Sequence, residues 1–413
     1  MSRPIRMDRS LLPTWLETHL PATLRFLKDL VEINSYTGNP IGVNANAERI
    51  IRQFAPLGFL ASRIPCTEPG TGDHLILDSG GAGPVIACIS HLDTVFSPEE
   101  EARNHFHWKE EGTRIYGPGI YDIKGGTAMI WLLLATLKST EPDFFRKVRW
   151  ILLWNAAEER LVPDFAGVCL KTLPANTRCC LVFEGDNRSE AGFTVTAARK
   201  GRGTFRIRVS GRGAHAGSRH REGANAIRQI ARVVEQVEML TDDAREVTVN
   251  VGIVRGGSEV NRVPHEAELL LEVRTYEEET YAAVRETLLA LNGPGSVTAK
   301  SDGFACRIQA EMESEINPWP RNAGSEDLAT LWKEVAADCG WELENEKRGG
   351  ISDGNGTWKH YPTLDGLGPR GGNHHSSERS VDGSKLPEFL DSSSLLPKAA
   401  INYRALKKLI EDF

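Results

Sequence analysis

Val148-Arg149-Trp150-Ile151-Leu152-Leu153-Trp154-Asn155-Ala156-Ala157-Glu158-Glu159 is the stretch on which the reading of the fold turns. Its apolar run is short, rich in bulky residues and without alternation, as in a strand buried on both faces. It ends on two carboxylates. The same construction occurs twice more: Val85-Ile86-Ala87-Cys88-Ile89 leads to His91 and Asp93, and Leu181-Val182-Phe183 leads to Glu184. In open α/β sheets the loops at the carboxyl ends of the strands form the ligand crevice. Imidazoles and carboxylates gathered there suit a zinc site with room for a water.

Working outward, helical spacing separates these strands. Pro21 is expected in the first turn of a helix that carries Leu24, Leu27, Leu30 and Val31 on one face. Residues 46–54 read as a second helix and Gly126 to Leu137 as an apolar one. The alternation predicts an α/β fold: a mostly parallel central sheet with helices on both faces. From about residue 198 the pattern changes. Strands near 204–210, 247–254, 269–273 and 297–300 and helices over 224–240 and 277–291 give a β-α-β-β-α-β order. That is the ferredoxin-like unit. The chain then returns to α/β character, with a helix over 325–337 and a last helix near the end. The expected organisation is a first catalytic part at 1–197, an inserted domain at 198–309 and a second catalytic part at 310–413.

Composition narrows the class. The 413 residues are 40% hydrophobic and 25% charged, as in a soluble globular protein of two or more domains. A net charge of −7 argues against nucleic acid or an anionic membrane as the main partner. The basic start, residues 1–6, lacks a signal-peptide core behind it, and no apolar run reaches membrane-spanning length. Seven cysteines without a CxxC pair point to reduced thiols and a cytoplasmic location.

Each motif has a chemical reading. In His91-Leu92-Asp93 an imidazole can bind metal while Asp93 orients its other nitrogen. Gly117-Pro118-Gly119-Ile120-Tyr121-Asp122-Ile123-Lys124-Gly125-Gly126 holds Asp122 where its two oxygens could bridge two cations; a helix cap is the plainer alternative. Of Glu158 and Glu159, one can bind metal while the other faces a water as general base. Asp186 competes with Glu184, and His374 with His375, with no spacing rule to choose between them. In the insertion, His215 follows a strand within a Gly-rich loop, and Asn261, Arg262 and Arg274 could hold a carboxylate.

Together these segments resemble the di-zinc peptidase family that includes carboxypeptidase G, aminoacylase, acetylornithine deacetylase and succinyl-diaminopimelate desuccinylase. The matching pieces are His91-Leu92-Asp93, the Gly117 to Gly126 segment, Glu158-Glu159, Phe183-Glu184, Gly213-Ala214-His215-Ala216-Gly217, Asn261 with Pro264, and His375-Ser376. The resemblance implies two zinc ions per subunit, one held by His91, Asp122 and Glu184 and the other by Asp122, Glu159 and His375. It implies Glu158 as general base, Asp93 as orienting carboxylate, and His215 as a lid histidine acting in the partner subunit of a homodimer formed through the insertion. Asn261 and Arg274 would hold the substrate carboxylate. The implied reaction is hydrolysis of an amide or peptide bond next to a free C-terminal carboxylate, in a peptide or N-acyl amino acid. A carboxypeptidase G-like glutamate carboxypeptidase is the first expectation; an N-acyl-amino-acid deacylase or dipeptidase is the second. A catalytically silent binding protein would have lost Glu158 or a ligand. Two departures stand out: Leu161 where the family often has Gly, and Gly349-Gly350-Ile351-Ser352-Asp353 where Gly-Gly-Thr-Asp is usual.

Overall fold

The computed structural model describes residues 14–187 and 192–411, so the basic start at residues 1–6 lies outside them. The chain forms two compact units. The first comprises 1–197, 321–347 and 352–413; the second comprises 198–320 and 348–351.

The first unit is built on a six-stranded sheet. Its strands, in spatial order, are Leu60–Pro65, Asp73–Asp78, Arg149–Asn155, Val85–His91, Thr177–Val182 and Thr363–Leu364. The last four run parallel, and the first two form an antiparallel edge. Successive side chains of a strand point to opposite faces, and here both faces are dry. Ile86, Cys88, Leu152, Trp154 and Leu181 join one core with helices Thr14–Val31, Pro40–Phe54, Gly125–Thr140, Ala323–Asp338 and Leu395–Glu411. Val85, Ala87, Ile89, Ile151, Leu153 and Val182 join the other with helix Asp164–Thr172. The unbroken apolar runs follow from this double burial. Helix Gly125–Thr140 is apolar on nearly every side because it is a core helix; most of it is buried. The first described helix spans Thr14–Val31, so Pro21 lies inside it and not in its first turn. All seven cysteines are free.

The second unit is an antiparallel sheet of five strands, one more than the pattern foresees. Their order is Thr248–Gly256, Glu266–Thr275, Gly201–Ser210, Ala305–Ile316 and Gly293–Thr298. Helices Ala226–Glu238 and Glu278–Leu289 cover the face carrying Phe205, Ile207 and Val209. The opposite face carries crossed ion pairs, Arg202 with Glu272 and Arg206 with Glu268. The extra strand moves the boundary from residue 309 to Pro320. It pairs along Gly201–Ser210, so it cannot belong to the catalytic part. Arg199 and Trp319 exchange both backbone hydrogen bonds, at 2.8 and 3.0 Å, near the two ends of the segment 198–320.

Candidate metal centre

His91 ends one parallel strand, Glu158–Glu159 and Glu184 follow the ends of two others, and Asp122 and His375 come from turns. His91 is 2% exposed. Its Nδ1–H is directed at the Asp93 carbonyl at 3.0 Å, which leaves Nε2 facing Asp122 Oδ1 at 3.0 Å. Two acceptors cannot stand at that separation without a cation or a proton. Burial opposes charge on His91, but hydrogen bonds to Asp122 and Asp93 hold it well above the usual imidazole range. His375 Nε2 lies 3.0 Å from Glu159 Oε2 and 3.5 Å from Asp122 Oδ2. Hydrogen bonds to Asp122 and then Glu159 raise His375 to about 11. Asp122 is thus shared by two imidazoles, one on each oxygen. Burial would raise its pKa, but His375 and His91 drive it well below the carboxylate range.

His91, Asp122 and Glu159 present ligand atoms within 4.8 Å of one another. Glu159 is pushed up to about 7 by burial and then by Asp122, and its Oε1 is buried without a hydrogen-bond partner among the described residues. An orphaned oxygen among imidazoles and a shared carboxylate fits a metal ion. Glu184 follows its strand as expected and is close enough to add to the charge felt by Glu158. Asp186 is fully buried on Lys398 Nζ (2.8 Å) and Thr194, so it is a structural ion pair and not a ligand. His374 packs near the Tyr121 ring, 6.0 Å between centroids, while His375 reaches the cluster from a left-handed backbone, φ 61°.

Glu158 stands apart. Burial raises its pKa well above the carboxylate range, His91 opposes this, and Glu159, Asp353 and Glu184 add to it. Among the described residues its carboxyl makes no hydrogen bond, which leaves it open to a water. Asp93 meets His91 Nδ1 through its backbone carbonyl at 3.0 Å, where the sequence predicts the carboxylate; the carboxylate lies at 3.4 Å and serves the acidic turn. Its Oδ1 accepts the Glu158 N–H at 3.1 Å and its Oδ2 the Glu159 N–H at 3.2 Å and the Thr37 hydroxyl at 2.7 Å. Asp122 sits in a non-helical turn before its helix, so it is not an N-cap.

Sequence reasoning missed Glu388. It is fully buried, and its Oε1 accepts the N–H of Tyr121 (2.8 Å) and of Asp122 (3.1 Å). Burial, then Asp122, pushes it up to about 8. It also missed the reach of Asp353, which accepts the Asn155 side-chain amide at 2.8 Å and is raised to about 7 by burial. No local pattern marks Glu388, which lies in a polar stretch before a short strand.

His215, Asn261 and Arg274 belong to the second unit. His215 Nδ1 accepts the N–H of Gly217 (3.1 Å) and of Ser218 (3.2 Å), so its proton is on Nε2. Asn261 is beside it, its carbonyl accepting the Ala216 N–H at 2.9 Å. Arg274 is apart from this pair, bound to Glu272 at 2.9 Å and to the Gly349 carbonyl at 3.3 Å.

Known proteins share this plan. Residues 197–293 match the peptidase dimerisation domain of the M20 family. Carboxypeptidase G2 of Pseudomonas sp. is 26% identical over 90% of this chain and 87% of its own. Succinyl-diaminopimelate desuccinylase of Methylorubrum extorquens is 28% identical over 64% of this chain and 76% of its own. In structure, the aminopeptidase PepT of Bacillus cereus superposes with a TM-score of 0.71 at 18% identity, covering 97% of this chain and all of its own. A dinuclear metal-binding peptidase of the M20 family from Bacillus subtilis gives 0.64 at 17% identity, covering 96% and 99%. The chain is similar to M20 metallopeptidases and related amidohydrolases along most of its length. As a class it is a hydrolytic enzyme.

Proposed function

We propose that the protein is a zinc-dependent hydrolase of amide or peptide bonds next to a free C-terminal carboxylate, working as a carboxypeptidase of the carboxypeptidase G type. The observation that carries the chemistry is the isolation of Glu158: a desolvated carboxyl without a hydrogen bond among the described residues, adjacent in sequence to Glu159 of the His91–Asp122–His375 cluster. His91, Asp122 and Glu184 would hold one zinc ion, and Asp122, Glu159 and His375 the other. Zinc supplies Lewis acidity, polarising the scissile carbonyl and acidifying a water. Glu158 takes the proton from that water and returns it to the leaving nitrogen. His215 donates its Nε2–H to the developing oxyanion, acting from the partner subunit of a homodimer formed through the dimerisation domain. Asn261 and Arg274 hold the substrate carboxylate, for which Arg274 would have to leave Glu272 or share it.

The long match to carboxypeptidase G2 supports release of a C-terminal amino acid, glutamate first. The match to a desuccinylase favours a second reading, an N-acyl-amino-acid deacylase. Turnover of the zinc-loaded enzyme on pteroylglutamate, N-acyl amino acids and dipeptides separates the two. Glu158→Ala should lower kcat by a factor of about 10³ or more while zinc content stays at the wild-type value. Full activity in that variant would remove Glu158 as the base, and an active metal-free protein would overturn the hydrolase reading as a whole.

A further inference from the structure

Outside the metal centre, Cys66, His74 and Asp164 form the other cluster of described residues whose atoms could hold a metal ion. Its hydrogen bonds give it a different task. His74 is fully buried. Its Nδ1 accepts the backbone N–H of Ala156 at 3.1 Å, and an accepting nitrogen carries no proton. The single proton of the neutral ring is therefore on Nε2, 3.3 Å from Asp164 Oδ2. A protonated nitrogen has no lone pair for a cation. Asp164 is itself held by the Thr67 N–H at 2.7 Å.

Ala156 opens the turn that presents the acidic pair. Each of its four successive N–H groups is taken by a side chain: Ala156 by His74, Ala157 by Asn155 Oδ1 at 3.0 Å, and Glu158 and Glu159 by Asp93. Ala156 and Ala157 lie between the strand Arg149–Asn155 and the single 3-10 turn Glu158–Arg160, whose leading N–H groups have no partner inside the turn; the approach to the acidic pair has the shape that these acceptors impose. His74 sets its entry. We propose that Asp164 fixes the tautomer of His74, and that His74 so fixed is a positioning residue for Glu158 and Glu159, not a ligand of a third metal. This rests on the reading of Glu158 as base and Glu159 as ligand.

Three variants test it. His74→Leu removes the acceptor; His74→Asn restores one where Nδ1 stood; Asp164→Asn lets the ring place its proton on Nδ1, against Ala156. The measurements are kcat and KM on an N-acyl-glutamate and the affinity of the metal-free protein for Zn2+ by competition calorimetry. His74→Leu should lose about tenfold or more in kcat and in affinity for the weaker zinc, with KM within about threefold. His74→Asn should recover most of both losses, and Asp164→Asn should share the defect. A purely structural role would lower thermal stability without this separation of kcat from KM and without rescue by Asn. Wild-type kcat and Zn2+ affinity in His74→Leu, or no recovery in His74→Asn, would overturn the proposal, as would a third bound zinc that Cys66→Ala removes. If His74→Leu does not fold, wild-type behaviour of Asp164→Asn overturns it equally. If the enzyme turns over none of the substrates, the proposed function fails, and the Zn2+ affinities alone decide the role of His74.

Discussion

Glu388 shows what burial does to a carboxyl that serves the backbone of a neighbouring acid. With Asp122 beside it, it stays protonated up to about pH 8 in the metal-free protein. Its folded pKa lies above the unfolded value of about 4.3, so between these the native state binds the extra proton. Stability is then full at low pH and falls as pH rises toward 8, after which this contribution is constant. Glu388→Gln keeps an acceptor for the N–H groups of Tyr121 and Asp122 without the titration. The metal-free variant should be increasingly more stable than the wild type from pH 5 to pH 8, reaching of order 5 °C in Tm, with no further widening above. Equal Tm profiles by calorimetry would contradict the assignment. Nothing in the sequence marks Glu388, because its role depends on a turn far away along the chain. His91, Asp122 and Glu159 were legible because each ends an apolar run or sits in a glycine-rich turn, which are local signals. Leu161 was legible as a departure only. Its φ of 57° is the left-handed geometry in which glycine is at ease.

Between elements, contact distances set the tolerances. Helix Gly125–Thr140 approaches the end of the Thr177–Val182 strand so closely that a Cβ on Gly126 would lie 2.0 Å from the Phe183 carbonyl oxygen. Gly185 is pressed against the Tyr121 ring in the same way, at 2.1 Å. These two contacts bracket Glu184. Gly126→Ala should therefore destabilise the protein by about 2 kcal/mol in urea unfolding, by overpacking. It should also weaken metal binding by displacing Glu184, whereas a wild-type melting point and zinc affinity would show that the helix shifts freely. The buried strands were readable because double burial leaves no polar positions. Strand Ala305–Ile316 was not, since its inward residues Cys306, Ile308 and Ala310 are mostly small and alternate with charge, a weak version of the signal. The first helix was misplaced because Pro21 reads as a helix start, yet tertiary packing keeps it inside.

For the molecule as a whole, each unit has its own apolar core. Replacing Ala198–Pro320 with a short Gly-Ser linker should leave a folded catalytic unit that still binds zinc. The same protein should sediment as a monomer and lose about 10²-fold or more in turnover, through loss of His215. Retained turnover would show that the insertion is dispensable to the reaction. The two-unit plan was legible from the change of periodicity at residue 198; the end of the insertion was not, for want of a strong final strand.

The pairing of Arg199 with Trp319 has a consequence for how the protein is made. Asp122 meets Glu388 across 266 positions, a separation that ought to slow folding. Much of that length is the insertion, whose two ends are joined by a pair of backbone hydrogen bonds. Once the insertion has folded, it presents its flanks side by side, and what remains for the catalytic halves is a far shorter search. Synthesis runs in the same order, for the insertion leaves the ribosome before the segment that carries His375. Its early folding would give His375 a nearly finished cluster to join.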